Sequence, residues 1–168
     1  NVLGTLTPLQ RIGAAAHAAG ALFMVDGAQY VPHLPTDIPS LGADLFGFTG
    51  HKLLGPTGIG MLWARAELLD SMPPFLGGGE MIKEVRFNGT VFNDPPHRFE
   101  AGTPNIAGHI GLGAGVDYLD GLGMANVAAR EAELLAHLAG EMRKVDGLRI
   151  IGNAPDKVGG RHVRRVPP

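Results

Sequence analysis

The chain has 168 residues, of which 45% are hydrophobic, and its formal net charge at pH 7 is −2. This length suffices for one domain with a sizeable core, and the near-neutral charge argues against nucleic acid as a partner. No segment is apolar enough over a sufficient length to cross a membrane or to act as a signal peptide, and the chain contains no cysteine that could form a disulfide. We therefore expect a cytoplasmic protein without membrane association.

Residues 7–29 predict a helix followed by a buried strand. Thr7 can cap the helix, Pro8 suits its first position, and Gly20 is a suitable stop. Residues 21–25 then form a short apolar run that ends at Asp26-Gly27-Ala28-Gln29. A helix-to-strand unit of this kind is typical of α/β proteins, in which ligands bind beyond the carboxyl ends of the strands.

Two further apolar strands, predicted at 45–48 and 59–63, enclose the segment Thr49-Gly50-His51-Lys52. The connection between these strands is too short for a helical crossover, so the second is expected to run antiparallel to the first. Lys52 could be an ordinary loop residue, but Asp26 at the end of the preceding strand offers it a chemical partner. His33, in a proline-rich connection, is interpreted as structural or exposed rather than as a ligand.

The rest of the chain predicts an extended or looped excursion at 84–97, helices at 106–122 and 126–145, and a strand at 148–151. Residues 159–168 lose all periodicity and are basic. We expect this tail to be irregular, either disordered or out of its proper reading frame.

Asp26 and Lys52 are the two groups that pyridoxal phosphate requires of a protein. A lysine links covalently to the cofactor's aldehyde, and a carboxylate keeps the pyridine nitrogen protonated so that the ring can accept electrons. The hydrogen bond from the pyridinium to Asp26 would be charge-assisted and worth about 1.5–3 kcal/mol. Thr49 and His51 flank Lys52 as donors to the phosphate. A P-loop nucleotide site is rejected, because Leu53 stands where the Gly-Lys-Ser/Thr order requires a hydroxyl.

Three segments, in this order and at this spacing, resemble the class V aminotransferase family: 25–29 (VDGAQ), 49–60 (TGHKLLGPTGIG) and 98–105 (RFEAGTPN). Within that family the likeness is to the SUF-type (group II) cysteine desulfurases and selenocysteine lyases, and it extends over residues 1–158. It implies an α/β fragment of the fold-type I transferase fold, with a mostly parallel sheet, flanking helices and one antiparallel strand at 59–63. Residues 1–122 would belong to the large cofactor-binding domain, and 123–158 would begin the small C-terminal domain.

The resemblance implies a role for each predicted site residue. Lys52 corresponds to the catalytic lysine that links to the cofactor and later moves protons at the substrate carbon. Asp26 corresponds to the partner of the pyridinium nitrogen, and Gln29 to the donor to the ring oxygen. Thr49 and His51 correspond to phosphate ligands.

Two further residues and one loop are implicated in the same way. Asn1 corresponds to an asparagine near the cofactor and substrate. Thr103 corresponds to a residue that reaches the phosphate of the neighbouring subunit across a homodimer. Residues 77–81, Gly77-Gly78-Gly79-Glu80-Met81, correspond to a loop at the mouth of the active site. No metal ligands are predicted.

The implied activity is conversion of L-cysteine to L-alanine, with the sulfur held as an enzyme-bound persulfide for iron–sulfur cluster assembly and a sulfur-acceptor protein as a further partner. The family's stacking histidine, its substrate-binding arginine and its persulfide cysteine have no counterpart in these residues. We therefore expect a central fragment that is inactive alone. A selenocysteine lyase, a kynureninase-like lyase and a non-catalytic remnant remain alternatives.

Overall fold

Four α-helices and three small sheets make up residues 3–152 and 162–165, which are those that the computed structural model describes. In chain order the elements are α1 (Leu9–Ala18), β1 (Met24–Asp26), β2 (Leu45–Thr49), β3 (Gly60–Ala64), α2 (Ala66–Ser71), β4 (Ile82–Arg86), β5 (Gly89–Phe92), α3 (Ile106–Leu122), α4 (Met124–Met142), β6 (Leu148–Ile151) and β7 (His162–Arg165). None of the helices in these residues is long and apolar enough to cross a membrane.

The central sheet has the strand order β1-β2-β3. β1 runs parallel to β2 with Asp26 opposite Gly47, and β3 runs antiparallel to β2 with Gly60 opposite Thr49. The α/β class and the antiparallel third strand are thus confirmed. The described residues contain one parallel pair of the predicted sheet, β1 with β2. Phe46, which is fully buried, lies at the centre of the core beneath this sheet.

A buried carboxylate joins α1 and all three strands at the end of the sheet opposite to the predicted site. The side chain of Asp44 accepts hydrogen bonds from the backbone N–H of Phe23 (2.7 Å) and from Nε2 of His17 (2.8 Å), and it pairs with Nη1 of Arg65 (3.1 Å). These donors favour the charged form, so the backbone hydrogen bond from Phe23, followed by that from His17, lowers the pKa of Asp44 below its usual range. Asp44 was not singled out from the sequence.

The first helix and strand differ from the prediction in their boundaries. α1 begins at Leu9, with Pro8 at the cap position, and no side chain caps it; the carbonyl of Thr7 accepts from the Leu9 N–H at 2.8 Å. The predicted capping by the Thr7 side chain is therefore wrong. β1 begins at Met24 rather than at residue 21, because the N–H of Ala21 still donates to the Ala16 carbonyl (2.9 Å) to close the helix.

The second half of the chain follows the predicted pattern closely. β4 and β5 form an antiparallel hairpin that begins two residues before the predicted excursion at 84–97. α3 spans the predicted residues, and the Asn105 side chain caps it by accepting from the Gly108 N–H at 2.9 Å. Gly123, with φ of +79°, separates α3 from α4. α4 begins two residues before the predicted helix and ends three residues before its predicted end.

The predicted strand at 148–151 is confirmed as β6, and part of the tail pairs with it. His162–Arg165 forms β7, which runs antiparallel to β6 with Arg165 opposite Leu148. For these four residues the expected irregular structure is wrong, because strand pairing uses backbone groups and does not require an apolar period. Residues 153–161 and 166–168 lie outside the described residues, and the predicted division into domains at 122 stays a prediction.

Candidate functional site

Five of the predicted site residues lie at one edge of the central sheet. Asp26 is the last residue of β1 and Thr49 the last of β2, and these two strands are parallel neighbours. A single 3₁₀ turn, Gly50–Lys52, follows β2 directly. Because the carboxyl ends of parallel strands meet at one edge, the carboxylate, the hydroxyl and the amine predicted from the sequence come to the same side of the sheet.

The turn that carries Lys52 is held tightly through Gly50. The Gly50 N–H donates to the Ile59 carbonyl at 2.8 Å, and the Gly50 carbonyl accepts from the N–H groups of Leu53 and Gly55, both at 2.8 Å. A Cβ at Gly50 would lie 2.7 Å from Cγ2 of Ile59, so this close approach requires glycine. The backbone that presents Lys52 is therefore fixed by β3 on one side and by its own turn on the other.

Asp26 is exposed and begins a turn of its own. Its Oδ1 accepts from the N–H of Ala28 at 3.0 Å, and no hydrogen bond within residues 3–152 occupies Oδ2. Gly27 makes this turn fit, since a Cβ there would lie 2.1 Å from the Phe46 ring. The bond to Ala28 orients the carboxylate and leaves one oxygen available to accept from a ligand.

Gln29 lies on the same turn, exposed and a few residues beyond the carboxylate. The N–H groups of Tyr30 and Val31 both donate to the Gly27 carbonyl, at 2.8 and 3.0 Å. These bonds fix the backbone on either side of Gln29. Gln29 is therefore held on the same short turn as Asp26.

Thr49 and His51 form a pair beside Lys52. Oγ1 of Thr49 lies 2.8 Å from Nδ1 of His51, with the histidine exposed and the threonine half-buried. This hydrogen bond orients the ring and leaves Nε2 facing outward from the bond. If the hydroxyl donates to Nδ1, Nε2–H of the ring can donate to an anionic group; if Nδ1–H donates to Oγ1, the Thr49 hydroxyl can do so; both can donate together when each ring nitrogen carries a hydrogen.

Lys52 is half-buried and also lines a cavity of about 370 Å³ between its turn and the junction of α3 with α4. His33, Tyr118 and Glu131 line the same cavity, together with apolar side chains. Asp26, Gln29, Thr49 and His51 do not line it. These four residues thus lie at the strand edge outside this cavity, and Lys52 is the one predicted cofactor residue within 3–152 that also lines it.

The two remaining site predictions are not brought into this cluster. Asn1 lies outside the described residues. Thr103 is exposed in the turn before α3 and lines a separate cleft of about 210 Å³ with Glu80, His97 and Glu100. The glycine loop lies beside it, because the Gly102 N–H donates to the Gly79 carbonyl at 2.9 Å.

His33 is structural, as predicted, and its partner was not foreseen. Its Nδ1 lies 2.9 Å from each carboxylate oxygen of Glu131, which is 98 residues away in the chain. The charged residues of 130–144 by themselves indicate only a solvated helix face that includes Glu131. Charge periodicity cannot reveal such a pair, because it depends on how α4 packs against the turn after β1.

The donor set at the strand edge fits pyridoxal phosphate. It includes an amine for the aldehyde, a carboxylate with a free oxygen for the pyridine nitrogen, and a hydroxyl and imidazole for the phosphate. The roles of the individual residues stay predictions.

Comparison with known proteins agrees with this chemistry. The model of the family described as aminotransferase class-V matches residues 1–161. A probable cysteine desulfurase from Xylella fastidiosa strain 9a5c is 59% identical over 157 residues, which cover 94% of this chain and 38% of that relative. The chain thus spans well under half the length of this curated relative.

Solved structures give the same picture. The crystal structure of the cysteine desulfurase CsdA (S-sulfonic acid) from Escherichia coli superposes with a TM-score of 0.84 at 44% identity, covering 93% of this chain and 39% of that one. The apo cysteine desulfurase from Thermococcus onnurineus NA1 superposes with a TM-score of 0.89 at 36% identity, covering 94% and 40%. On the family match and the shared fold, this chain belongs to the class V aminotransferase family.

Proposed function

We propose that this chain is the central pyridoxal-phosphate-binding portion of a cysteine desulfurase, which converts L-cysteine to L-alanine and holds the sulfur as an enzyme-bound persulfide for iron–sulfur cluster assembly. The observation that carries the proposal is the meeting of Asp26 and the Lys52 turn at the ends of two parallel strands. The similarity to proteins named cysteine desulfurases supports the choice of reaction.

Each residue of the site would have a separate task. The Lys52 amine would hold the cofactor covalently and then carry a proton to or from the substrate carbon. Asp26 would hold the ring nitrogen in its protonated form, with Gln29 donating to the ring oxygen. Thr49 and His51 would bind the phosphate. The cofactor, when bound, supplies the electron sink that lets the bond to sulfur break.

Sulfur acceptance needs a thiol that these residues do not contain. A persulfide on a cysteine of the same protein would therefore use residues outside this sequence. The SUF-type subgroup, the preference for L-cysteine over selenocysteine, the homodimer with Thr103 across its interface, the sulfur-acceptor protein and the cytoplasmic location remain predictions, as does the role of Asn1.

The proposal is tested by locating the cofactor on the chain. The full-length protein is loaded with pyridoxal phosphate, reduced with borohydride and digested, and the modified peptide is identified by mass spectrometry. We expect the label on Lys52 and its loss, together with turnover, in Lys52→Ala. Lys144→Ala is the control, because Lys144 is exposed in the turn after α4 and, within the described residues, forms an ion pair only with Glu141.

A label on another lysine, or unchanged turnover in Lys52→Ala, would contradict the assignment. Circular dichroism of the variant separates loss of chemistry from loss of fold, since the Lys52 side chain makes no hydrogen bond or ion pair within residues 3–152. We expect the spectrum in the far ultraviolet to be unchanged.

A further inference from the structure

His33 and Glu131 form a half-buried contact between the turn after β1 and α4. Nδ1 of His33 lies 2.9 Å from both Oε1 and Oε2 of Glu131, and the two side chains are 26% and 31% exposed. A carboxylate only accepts, so the histidine donates through Nδ1–H. Within the part of the chain that the structure describes, this is the one side-chain hydrogen bond between α4 and residues 3–105.

The histidine belongs to the same turn as two of the predicted cofactor residues, Asp26 and Gln29. The turn begins where β1 ends at Asp26, and it carries Gln29 before it reaches His33. The N–H of His33 donates to the Tyr30 carbonyl at 3.1 Å, which places the histidine ring on the backbone segment that adjoins Gln29. A constraint on His33 is therefore a constraint on that segment.

The glutamate lies in the first half of α4, one helical turn after a side chain, Val127, that packs this helix onto the rest of the chain. Met124 and Val127 contact the apolar cluster of Leu53, Leu112 and Leu119. Leu53 directly follows Lys52. The same short stretch of α4 thus touches both the turn after β1 and the turn after β2.

Residues from both of these contact regions line the cavity between the Lys52 turn and the junction of α3 with α4. His33, Glu131 and Lys52 all line it. Beyond this region α4 leads towards β6, with Leu134 and Leu138 about half exposed. The beginning of α4 is therefore the point at which the C-terminal part of the described chain meets both elements of the candidate site.

We propose that His33 and Glu131 are a positioning pair that couples α4 to the turn carrying Gln29, and through it to the cofactor site; this rests on the proposed function. The turn is on the surface and its backbone is held by short-range hydrogen bonds, so it belongs to the class of segments that open locally at low cost. A hydrogen bond to an ionised carboxylate on a packed helix restrains it. A shift of α4 would change the position of Gln29 without any contact to a ligand.

The test compares two glutamates of one helix in the full-length protein. Glu131→Ala removes the pair, whereas Glu133→Ala removes an exposed ion pair with Arg130 on the same helix and leaves the helix propensity equal. We expect amide hydrogen exchange in residues 28–34 to rise about threefold to tenfold in Glu131→Ala and to be unchanged in Glu133→Ala. Pyridoxal phosphate should bind more weakly in Glu131→Ala by a similar factor.

Glu131→Gln keeps an amide oxygen that can accept from Nδ1 of His33, so this variant should recover part of both effects. Equal exchange in Glu131→Ala and Glu133→Ala would overturn the coupling. Raised exchange with unchanged cofactor affinity would overturn its link to the site. Failure of the unaltered protein to bind pyridoxal phosphate would instead contradict the proposed function, and the exchange comparison would still decide whether the pair restrains the turn.

Discussion

The central sheet carries an aspartate at each of its two ends, and the two differ in burial and in the number of their hydrogen-bond partners. Asp44, just before β2, is 1% exposed and has three partners on α1, the approach to β1 and the end of β3. Asp26, at the end of β1, is exposed and accepts one hydrogen bond from its own turn. A carboxylate whose oxygens accept hydrogen bonds from the protein stabilises the fold, whereas one with a free oxygen can accept a hydrogen bond from a ligand.

The largest effect that would sharpen this comparison is expected from Asp26→Asn in the full-length protein. Asparagine keeps the shape but loses the charge, so it cannot hold the ring nitrogen protonated. Removing one charge-assisted hydrogen bond of this kind should lower turnover about tenfold to a hundredfold. Steady-state kinetics measures the effect, and Tm should stay within about a degree of the unaltered value.

Asp37→Asn is the matched control for that variant, since Asp37 is an exposed aspartate in the loop between β1 and β2. It should leave turnover unchanged. Full activity in Asp26→Asn would remove the pairing of this carboxylate with the cofactor ring from the proposal.

The second largest effect is expected from Asp44→Ala, which should lower the stability of the fold and leave turnover nearly unchanged. This change leaves the N–H of Phe23 without its acceptor and removes the buried carboxylate that His17 and the half-exposed Arg65 contact. Breaking a buried network is among the strongly destabilising changes, so Tm should fall by several degrees. Turnover per folded molecule, measured well below Tm, should be nearly unchanged because the site lies at the other end of the sheet.

Asp117→Ala, at an exposed position of α3, is the control and should shift Tm by less than about a degree. The opposite result is an Asp44→Ala variant that keeps its Tm and loses as much activity as Asp26→Asn. That result would contradict the assignment of a structural role to Asp44 and a ligand-binding role to Asp26.

The smallest effect is expected on the loss of folding stability at low pH. The pKa of Asp44 is lowered in the folded protein, chiefly by the hydrogen bonds from Phe23 and His17. A carboxyl group with a lowered folded pKa contributes stability above its unfolded pKa, about 3.9, and this contribution is lost as the pH falls through the folded value. Asp44→Asn should therefore flatten the fall of stability below about pH 4, as measured by urea unfolding at several pH values. A slope equal to that of the unaltered protein would contradict the origin of this pKa shift.

Much of the fold could be predicted from local patterns. The α3 helix, the strands β2 and β6, and the antiparallel course of β3 follow from apolar runs and connection lengths, which are properties of neighbouring residues. Boundaries were less well predicted. β1 begins later than expected because the N–H of Ala21 still closes α1, and α4 begins early because Gly123 allows a sharp break after α3.

The sequence by itself determined the chemistry of the candidate site. A lysine, a hydroxyl and an imidazole in one turn, with an aspartate at the end of the preceding strand, define a donor set whatever the fold around it. The same motifs placed the chain in its family, and the family match over residues 1–161 confirms that assignment.

Only the tertiary structure decided which polar residues belong together across long distances. Asp44 with Arg65 and His33 with Glu131 are each pairs of ordinary residues in sequence, and neither partner's neighbours predict the other. Their pairing depends on the packing of α1, α4 and the sheet in three dimensions. The sequence thus specifies what the groups can do, and packing specifies which of them are left free to do it.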